Sequence, residues 1–223
     1  MILSFTGESD DKVASIFMSR EECEQSLLER YSSTKNTSLL QLFHYHRFLQ
    51  CFGSKDFETA LDHAEEYFKL GSGNIWRMTD ISTAFLSGLA AFGLARNTNK
   101  DGLMETGEKK LLTMQDWADN GSKWNAENKA LLLQAERHYN LGNLDEAKST
   151  YEASIKSARE HKFIHEEALA YELYGNFCVK TGDAVFGHEL LRKAQSLYVE
   201  WVSGWREERT KNIYFVLLRM HFH

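Results

Sequence analysis

The chain contains no proline among its 223 residues, and this absence constrains the fold more than any other feature. Proline interrupts helix interiors and is common in loops and at sheet edges, so a long chain without it favours helices joined by short turns. Turn-forming residues recur at Gly71-Ser72-Gly73-Asn74, Asn120-Gly121-Ser122, Gly142-Asn143 and Thr181-Gly182-Asp183. Between these turns the apolar residues follow helical spacing, which predicts an all-α chain.

Two segments repeat one pattern of small residues at a constant offset. Ala135 and Ala147 flank one short turn, and Gly175 and Gly187 flank the next in the same way. Both offsets are 40 residues, 175 minus 135 and 187 minus 147. Since helices joined by so short a turn must pack side by side in opposite directions, each segment is predicted to be a helix hairpin.

The same small-residue positions can be followed towards the N-terminus. A residue no larger than alanine lets two helices cross closely, because a bulkier side chain would push the backbones apart. The second unit is about seven residues longer than the 40-residue spacing. We expect the extra residues between the two helices of that unit, around ARNTNKDG. The positions are Phe48, Gly88, Ala135 and Gly175 in the first helices, and Ala60, Gly107, Ala147 and Gly187 in the second helices. Phe48 departs from the pattern, because a bulky residue takes the place of a small one.

These observations predict a right-handed stack of antiparallel helix hairpins, an α-solenoid with about four hairpins and one preceding N-terminal helix. Residues 1–36 are interpreted as a tail and the leading helix, 37–201 as the repeat array, and 202–223 as an apolar tail or capping helix. Capping-box patterns at Ser19 with Glu22 and at Asn143 with Glu146 are expected to start two of the helices.

Charge and composition exclude several classes of function. A net charge of −6 and a pI near 5.9 are unsuited to binding nucleic acid or an anionic membrane. We find no uninterrupted apolar run of the roughly 18 residues needed to span a bilayer, and we predict no membrane partner. The three widely spaced cysteines, Cys23, Cys51 and Cys178, favour a reduced cytoplasmic protein with buried thiols.

A search for catalytic and metal-binding patterns leaves none that we assign. The sequence has no G-x-S-x-G, no phosphate loop and no dinucleotide fingerprint. His161 and His165 are four apart, as metal ligands on a helix would be, but they straddle an expected helix start and are better read as surface residues. We therefore predict no enzyme activity, no metal and no cofactor. The tryptophans are expected to cover hairpin ends: Trp76, Trp117, Trp124, Trp201 and Trp205.

The last two units resemble a known group of proteins. The turns G-N-L-D-E-A and T-G-D-A-V-F-G, with the run from Ala168 to Trp201, are similar to tetratricopeptide repeats lengthened to about 40 residues in large multidomain signal-transduction ATPases. In those proteins the repeats accompany kinase, ATPase or nucleotide-cyclase modules. The resemblance implies a signalling scaffold that binds proteins. The alternative is an accessory helical part of such an enzyme.

A binding groove is predicted along the first helix of each hairpin, one turn to either side of the small residue. The expected side chains change from aromatic in the N-terminal half to polar in the C-terminal half. They either bind a protein or peptide partner or pack against neighbouring helices of a larger parent protein. The candidates are Tyr45, Leu49, Phe85, Leu89, Lys129, Leu132, Glu136, Asn140, Glu172, Asn176 and Lys180.

Overall fold

The computed structural model describes residues 20–34, 36–71, 78–98 and 100–208, with side chains described from residue 25 to residue 203. The expected cap at Ser19, the side chains of Cys23, Trp76 and Trp205, and the apolar tail after residue 208 lie outside these ranges. Within them the chain forms nine helices and no strand: α1 (Arg20–Ser33), α2 (Thr37–Gly53), α3 (Phe57–Lys69), α4 (Met78–Asn97), α5 (Leu103–Asn120), α6 (Lys123–Asn140), α7 (Leu144–Glu160), α8 (Ile164–Lys180) and α9 (Ala184–Glu208).

Adjacent helices pack in pairs, as predicted. The hairpins are α2/α3, α4/α5, α6/α7 and α8/α9, and α1 packs against α2 ahead of them. Each hairpin also contacts the next, so that one core cluster runs from Ile81 in α4 to Leu190 in α9. The expectation of an all-α chain built from packed neighbouring helix pairs is therefore confirmed for the described residues.

Four of the connections are three-residue turns of one design. The middle residue lies in the left-handed region, as in Gly142 (φ 76°) and Gly182 (φ 104°). The amide of the third residue then donates to a carbonyl five residues back, for example Asn143 N to His138 O at 3.0 Å. The turn between α7 and α8, residues 161–163, has the same geometry with Lys162 (φ 61°) in the middle, so the design serves between hairpins as well as within them.

The small residues of the last hairpin lie at its crossing. Gly175 and Gly187 are both buried, and a Cβ added to Gly175 would lie 2.9 Å from the carbonyl oxygen of Gly187. Ala135 and Ala147 are fully buried at the corresponding positions of α6/α7. The helices of α8/α9 therefore approach as closely as their backbones allow, which agrees with the predicted packing role of these residues.

Hairpin α4/α5 departs from the expected spacing in two places. Its connecting turn is longer, and α4 ends nine residues after Gly88, whereas α8 ends five residues after Gly175. The prediction that the inserted residues all lie between the helices is therefore wrong, because part of the insertion extends α4. The extra length carries Arg96 to a position where it reaches α6.

Helix starts follow the predicted chemistry only in part. Asp56 and Asp183 accept hydrogen bonds from amides three residues on, Thr59 N at 3.3 Å and Phe186 N at 3.2 Å. Asn143 holds the N-cap position of α7 but its side chain makes no capping bond. The capping box expected at Asn143 is therefore absent.

Helix α4 has an unusually apolar composition. By length and hydropathy it is the one helix among the described residues that meets the requirement for crossing a membrane, a feature that the sequence search for an uninterrupted apolar run had missed. In the fold, 61% of its apolar window is buried inside the protein. It packs against α5 and α6 on one side and against α2 and α3 of the preceding hairpin on the other, which explains why most of its surface is apolar.

Candidate functional site

Most of the side chains predicted to line a groove belong to the core. They point towards neighbouring helices, which belong to the same hairpin, to the one before it or to the one after it. The prediction of an open groove is wrong for these residues. Seven are buried: Tyr45, Leu49, Phe85, Leu89, Lys129, Leu132 and Glu136.

The other four candidates lie nearer the surface of the C-terminal half. Asn140 and Glu172 are half-buried, and Asn176 and Lys180 are exposed. Asn140 Nδ2 donates to the backbone oxygen of Glu136 at 2.8 Å, which ties it to its own helix. Glu172, Asn176 and Lys180 all lie on α8, so the accessible part of the predicted set is confined to the last hairpin.

Glu136 is the centre of a buried polar cluster. Its carboxylate accepts from Arg96 Nη2 at 2.6 Å and from Tyr151 Oη at 2.5 Å, so it joins α4, α6 and α7. The Arg96 guanidinium also lies 4.5 Å from the centre of the Tyr139 ring. Burial and the Glu136 carboxylate raise the pKa of Tyr151 well above its ordinary value, so this hydroxyl stays protonated and donates.

Lys129 and Glu166 form a second buried cluster between α6 and α8. Lys129 Nζ lies 2.8 Å from Glu166 Oε1, and Asn128 Nδ2 donates to the other carboxylate oxygen at 2.5 Å. Burial alone would raise the pKa of Glu166, but the hydrogen bonds and charges of His165 and Lys129 outweigh it and lower the pKa to about 2. A carboxylate held ionised in this way is suited to binding α8 in place and unsuited to general acid catalysis near neutral pH.

Four further titratable side chains are at least partly buried in the fold: His44, His63, Lys110 and Cys178. Burial lowers the pKa of Lys110 to about 8 against the opposing charge of Glu65, and its ammonium lies 3.9 Å from the centre of the Phe68 ring. His44 Nδ1 and His63 Nδ1 are 3.0 Å apart, a pair that joins α2 to α3 and that sequence reasoning missed. Burial raises the pKa of the Cys178 thiol, which is the opposite of what a nucleophile requires.

The histidines weighed as metal ligands have separate surroundings. His161 Nδ1 lies 2.9 Å from the backbone oxygen of Ser157, whereas the His165 ring stacks on Trp201 and faces Glu166. Within the described ranges no three His, Cys, Asp or Glu side chains are grouped as a metal site would require. The His161 ring thus lies at the C-cap of α7, whereas the His165 ring packs between α8 and α9.

Two of the tryptophans lie at the ends of hairpins, as expected. Trp124, the second residue of α6, stacks on Phe163 with ring centres 5.6 Å apart, and Trp201 stacks on His165 at 5.4 Å. Trp117 packs instead against the main core. The stacking at Trp124 covers the turn between α7 and α8 rather than enclosing a ligand.

A shallow groove lies along the outer side of the last hairpin, between α8 and α9. Its volume of about 430 Å³ is within the range of ligand pockets, but its shallow form suits an extended partner better than an enclosed small molecule. We call it the terminal groove. It is lined by Glu172, His188, Leu191, Arg192, Ala194, Gln195 and Tyr198.

Sequence reasoning found only Glu172 of the terminal groove, yet the 40-residue offset contains the missing signal. Subtracting 40 from Leu191, Arg192 and Gln195 gives Tyr151, Glu152 and Ile155 of α7. Tyr151 and Glu152 are residues on which α8 packs. The terminal groove is therefore the counterpart, in the last hairpin, of a helix-binding surface that the preceding hairpin uses inside the fold.

Comparison of the chain with protein-family models, with curated proteins and with solved structures gave no match.

Proposed function

We propose that the protein is a non-catalytic scaffold that binds other proteins, built as a tetratricopeptide-like stack and working in intracellular signalling. The observation that carries the proposal is the terminal groove, a surface equivalent to one that binds a helix within the same molecule. Repeat stacks bury a continuous core by adding equivalent surfaces one after another, so the last such surface is able to accept a further element.

The chemistry of the interior supports binding over catalysis. The buried carboxylates Glu136 and Glu166 each hold a cation and at least one further hydrogen-bond donor. Groups so engaged contribute to packing and have little freedom to exchange protons with a substrate. The resemblance of the last two units to repeats in signal-transduction ATPases supports the same assignment.

The proposal is tested by site-specific photocrosslinking in native cells. Gln195 and Lys193 are both exposed and lie two residues apart on α9, so their side chains point to different sides, and only Gln195 lines the terminal groove. We expect Gln195→p-benzoylphenylalanine to form covalent adducts with protein, whereas the same substitution at Lys193 does not.

Two results would contradict the scaffold proposal. One is the absence of protein adducts from Gln195 together with a failure of affinity capture to recover any partner. The other is turnover of a nucleotide by the purified protein. Intact folding of each crosslinking variant is checked by circular dichroism, because α9 also contributes to the core through Ala194 and Leu197.

A further inference from the structure

The packing of α8 on α7 shows what a hairpin of this protein binds on its outer side. Tyr174 of α8 stacks on Tyr151 with ring centres 5.3 Å apart, and its hydroxyl donates to Glu152 Oε1 at 3.1 Å. Phe177 packs against the same Tyr151 ring at 5.4 Å. Two residues of α8 about one helical turn apart, Tyr174 and Phe177, therefore hold α8 to α7, through aromatic contacts and one hydrogen bond.

The C-terminal end of α7 adds a charged contact. Arg159 Nε donates to Glu167 Oε1 at 2.9 Å, and Arg159 Nη2 donates to Tyr171 Oη at 2.6 Å. Four positions of α8 thus contact α7 with spacings of four, three and three residues: Glu167, Tyr171, Tyr174 and Phe177.

The terminal groove keeps this surface but changes its chemistry. Within the groove, Leu191 corresponds to Tyr151 and Arg192 corresponds to the hydrogen-bond acceptor Glu152. Beside the groove lining, next to Tyr198 in sequence, Val199 corresponds to the cation Arg159. The cationic side chain lies at the end of the α7 surface, as Arg159, but in the middle of the α9 surface, as Arg192. His188, which is exposed, lies one helical turn before Arg192. Val199 is 60% exposed, so an apolar side chain stands uncovered by the described residues where Arg159 makes its pairs.

Helix α9 continues past the point where a further turn would bring the chain back onto the terminal groove. After α7 the chain turns at residues 161–163 and enters α8, but the equivalent residues 201–203 remain inside α9, which continues to Glu208. Residues 204–208, which would begin the next packed helix if the repeat continued, therefore run straight on along α9. The described part of the chain leaves the terminal groove open to a helix from elsewhere.

We propose that the terminal groove binds an amphipathic α-helix of a partner protein, with an acidic side chain placed against Arg192. This inference rests on the scaffold function proposed above. The positions on the partner helix follow from those of α8. Where Glu167 and Tyr171 contact Arg159, the partner helix has two apolar residues that contact Val199. Where Phe177 contacts Tyr151, it has an apolar residue that contacts Leu191. The acidic residue takes the place of Tyr174, three positions before the last apolar one.

The arrangement gives a sequence requirement for the partner. Reading along its helix, an apolar residue is followed after four positions by a second, after three more by Asp or Glu, and after three more by a third apolar residue. Charge complementarity at Arg192 selects against a helix with Lys or Arg at the acidic position, because two like charges would then meet at the contact.

The test uses a synthetic peptide of residues 164–180 carrying Glu167→Leu and Tyr174→Glu, and the full-length protein. We expect fluorescence anisotropy to show saturable binding that Arg192→Glu weakens about tenfold or more, equivalent to about 1.4 kcal/mol. The control Lys193→Glu makes the same charge change one residue away, outside the groove, and is expected to alter affinity less than about twofold. A peptide with Tyr174→Lys should instead prefer the Arg192→Glu protein.

Several outcomes would overturn the inference. Absence of binding, or equal effects of Arg192→Glu and Lys193→Glu, would show that the groove does not select this helix. Binding that appears only after truncation at Glu208 would show that residues 209–223 occupy the groove. A concentration-dependent dimer that Arg192→Glu dissociates, measured by analytical ultracentrifugation, would assign the groove to a second copy of the chain.

Failure of this inference and failure of the scaffold function give different results. If the peptide does not bind but Gln195 still crosslinks to a protein, the partner chemistry is wrong and the scaffold function stands. If neither the peptide nor any cellular protein binds, both proposals fall.

Discussion

The two hairpins that flank α6/α7 cross in different ways. In α8/α9, a Cβ added to Gly187 would lie 2.8 Å from the carbonyl oxygen of Gly175, so backbone meets backbone. In α4/α5, a Cβ added to Gly107 would lie 2.6 Å from a ring carbon of Phe92. Gly107 and Gly187 hold corresponding positions, yet one admits an aromatic ring and the other admits a neighbouring helix. A small residue therefore marks a close approach without saying what approaches.

The same two hairpins are also tied to α6 by different ion pairs. The Arg96 side chain, 19% exposed, reaches Glu136 from α4, whereas the Lys129 side chain, 5% exposed, pairs with Glu166 of α8. A guanidinium near the surface can regain water when its partner is removed, but a buried ammonium cannot. The pair on the α8 side is thus the more sensitive to losing one member.

The largest expected effect comes from Glu166→Gln. The substitution leaves the Lys129 ammonium buried beside a neutral amide, and we expect unfolding in urea to show a loss of about 3–5 kcal/mol. The matched change Glu136→Gln leaves Arg96 with partial access to water and its contact with Tyr139, and is expected to cost about 1–3 kcal/mol. If Glu166→Gln and Glu136→Gln lower the free energy of unfolding equally, the α8-side ion pair is not more sensitive than the α4-side pair.

The Glu166 pair also predicts a pH dependence. The pKa of Glu166 is about 2 in the fold and about 4.3 in the unfolded chain, so the unfolded state binds more protons between these values. The stability that ionised Glu166 contributes is fully present above about pH 4.3 and is lost as pH falls through about 2. We expect the free energy of unfolding to fall less steeply over this range in Glu166→Gln than in the wild type.

A third prediction concerns the difference between the two helix crossings. Both Gly107→Ala and Gly187→Ala should destabilise the protein, by about 1–3 kcal/mol each, because the added methyl group has no room. Shortening the facing side chain should rescue only one of them. Phe92→Leu removes the ring that blocks Gly107→Ala, whereas Val179→Ala leaves the Gly175 carbonyl in place against Gly187→Ala.

Thermal denaturation of the two double variants, compared with all four single variants, measures this rescue as a coupling energy. A coupling at Gly187 with Val179 as large as that at Gly107 with Phe92 would mean that the backbone of α8 can move aside. The crossings would then differ in degree and not in kind.

The smallest predicted effects concern the turns on the α8 side. Lys162 adopts φ 61°, a conformation that favours glycine, so Lys162→Gly is expected to stabilise the protein by up to about 1 kcal/mol. At Gly182 an added Cβ would meet no atom within 4 Å, so Gly182→Ala should cost about 1 kcal/mol through backbone conformation alone. Chemical denaturation that found both changes neutral would show that these turns tolerate either residue type.

Much of the architecture was predictable because its signals are local. The spacing of apolar residues and the glycines of the turns depend on residues close in sequence, and the 40-residue offset between Ala135 and Gly175 repeats one such local pattern in the next hairpin. Together they correctly predicted the packed helix pairs. The candidate site was predicted less well. Tyr45, Phe85 and Glu136 lie on the expected helices, but which neighbours cover them depends on how successive hairpins stack.

The sequence by itself determined that this chain forms helices, where most of them turn, and which positions must stay small, since each of these follows from backbone conformation and side-chain volume over a few residues. Only the tertiary structure decided that Phe92 fills the space at Gly107, that Arg96 reaches Glu136 forty residues away, and that Arg192 and Val199 are exposed within the described part of the chain. Burial and pairing are sums over neighbours from distant parts of the chain. They become defined only when the hairpins are packed together.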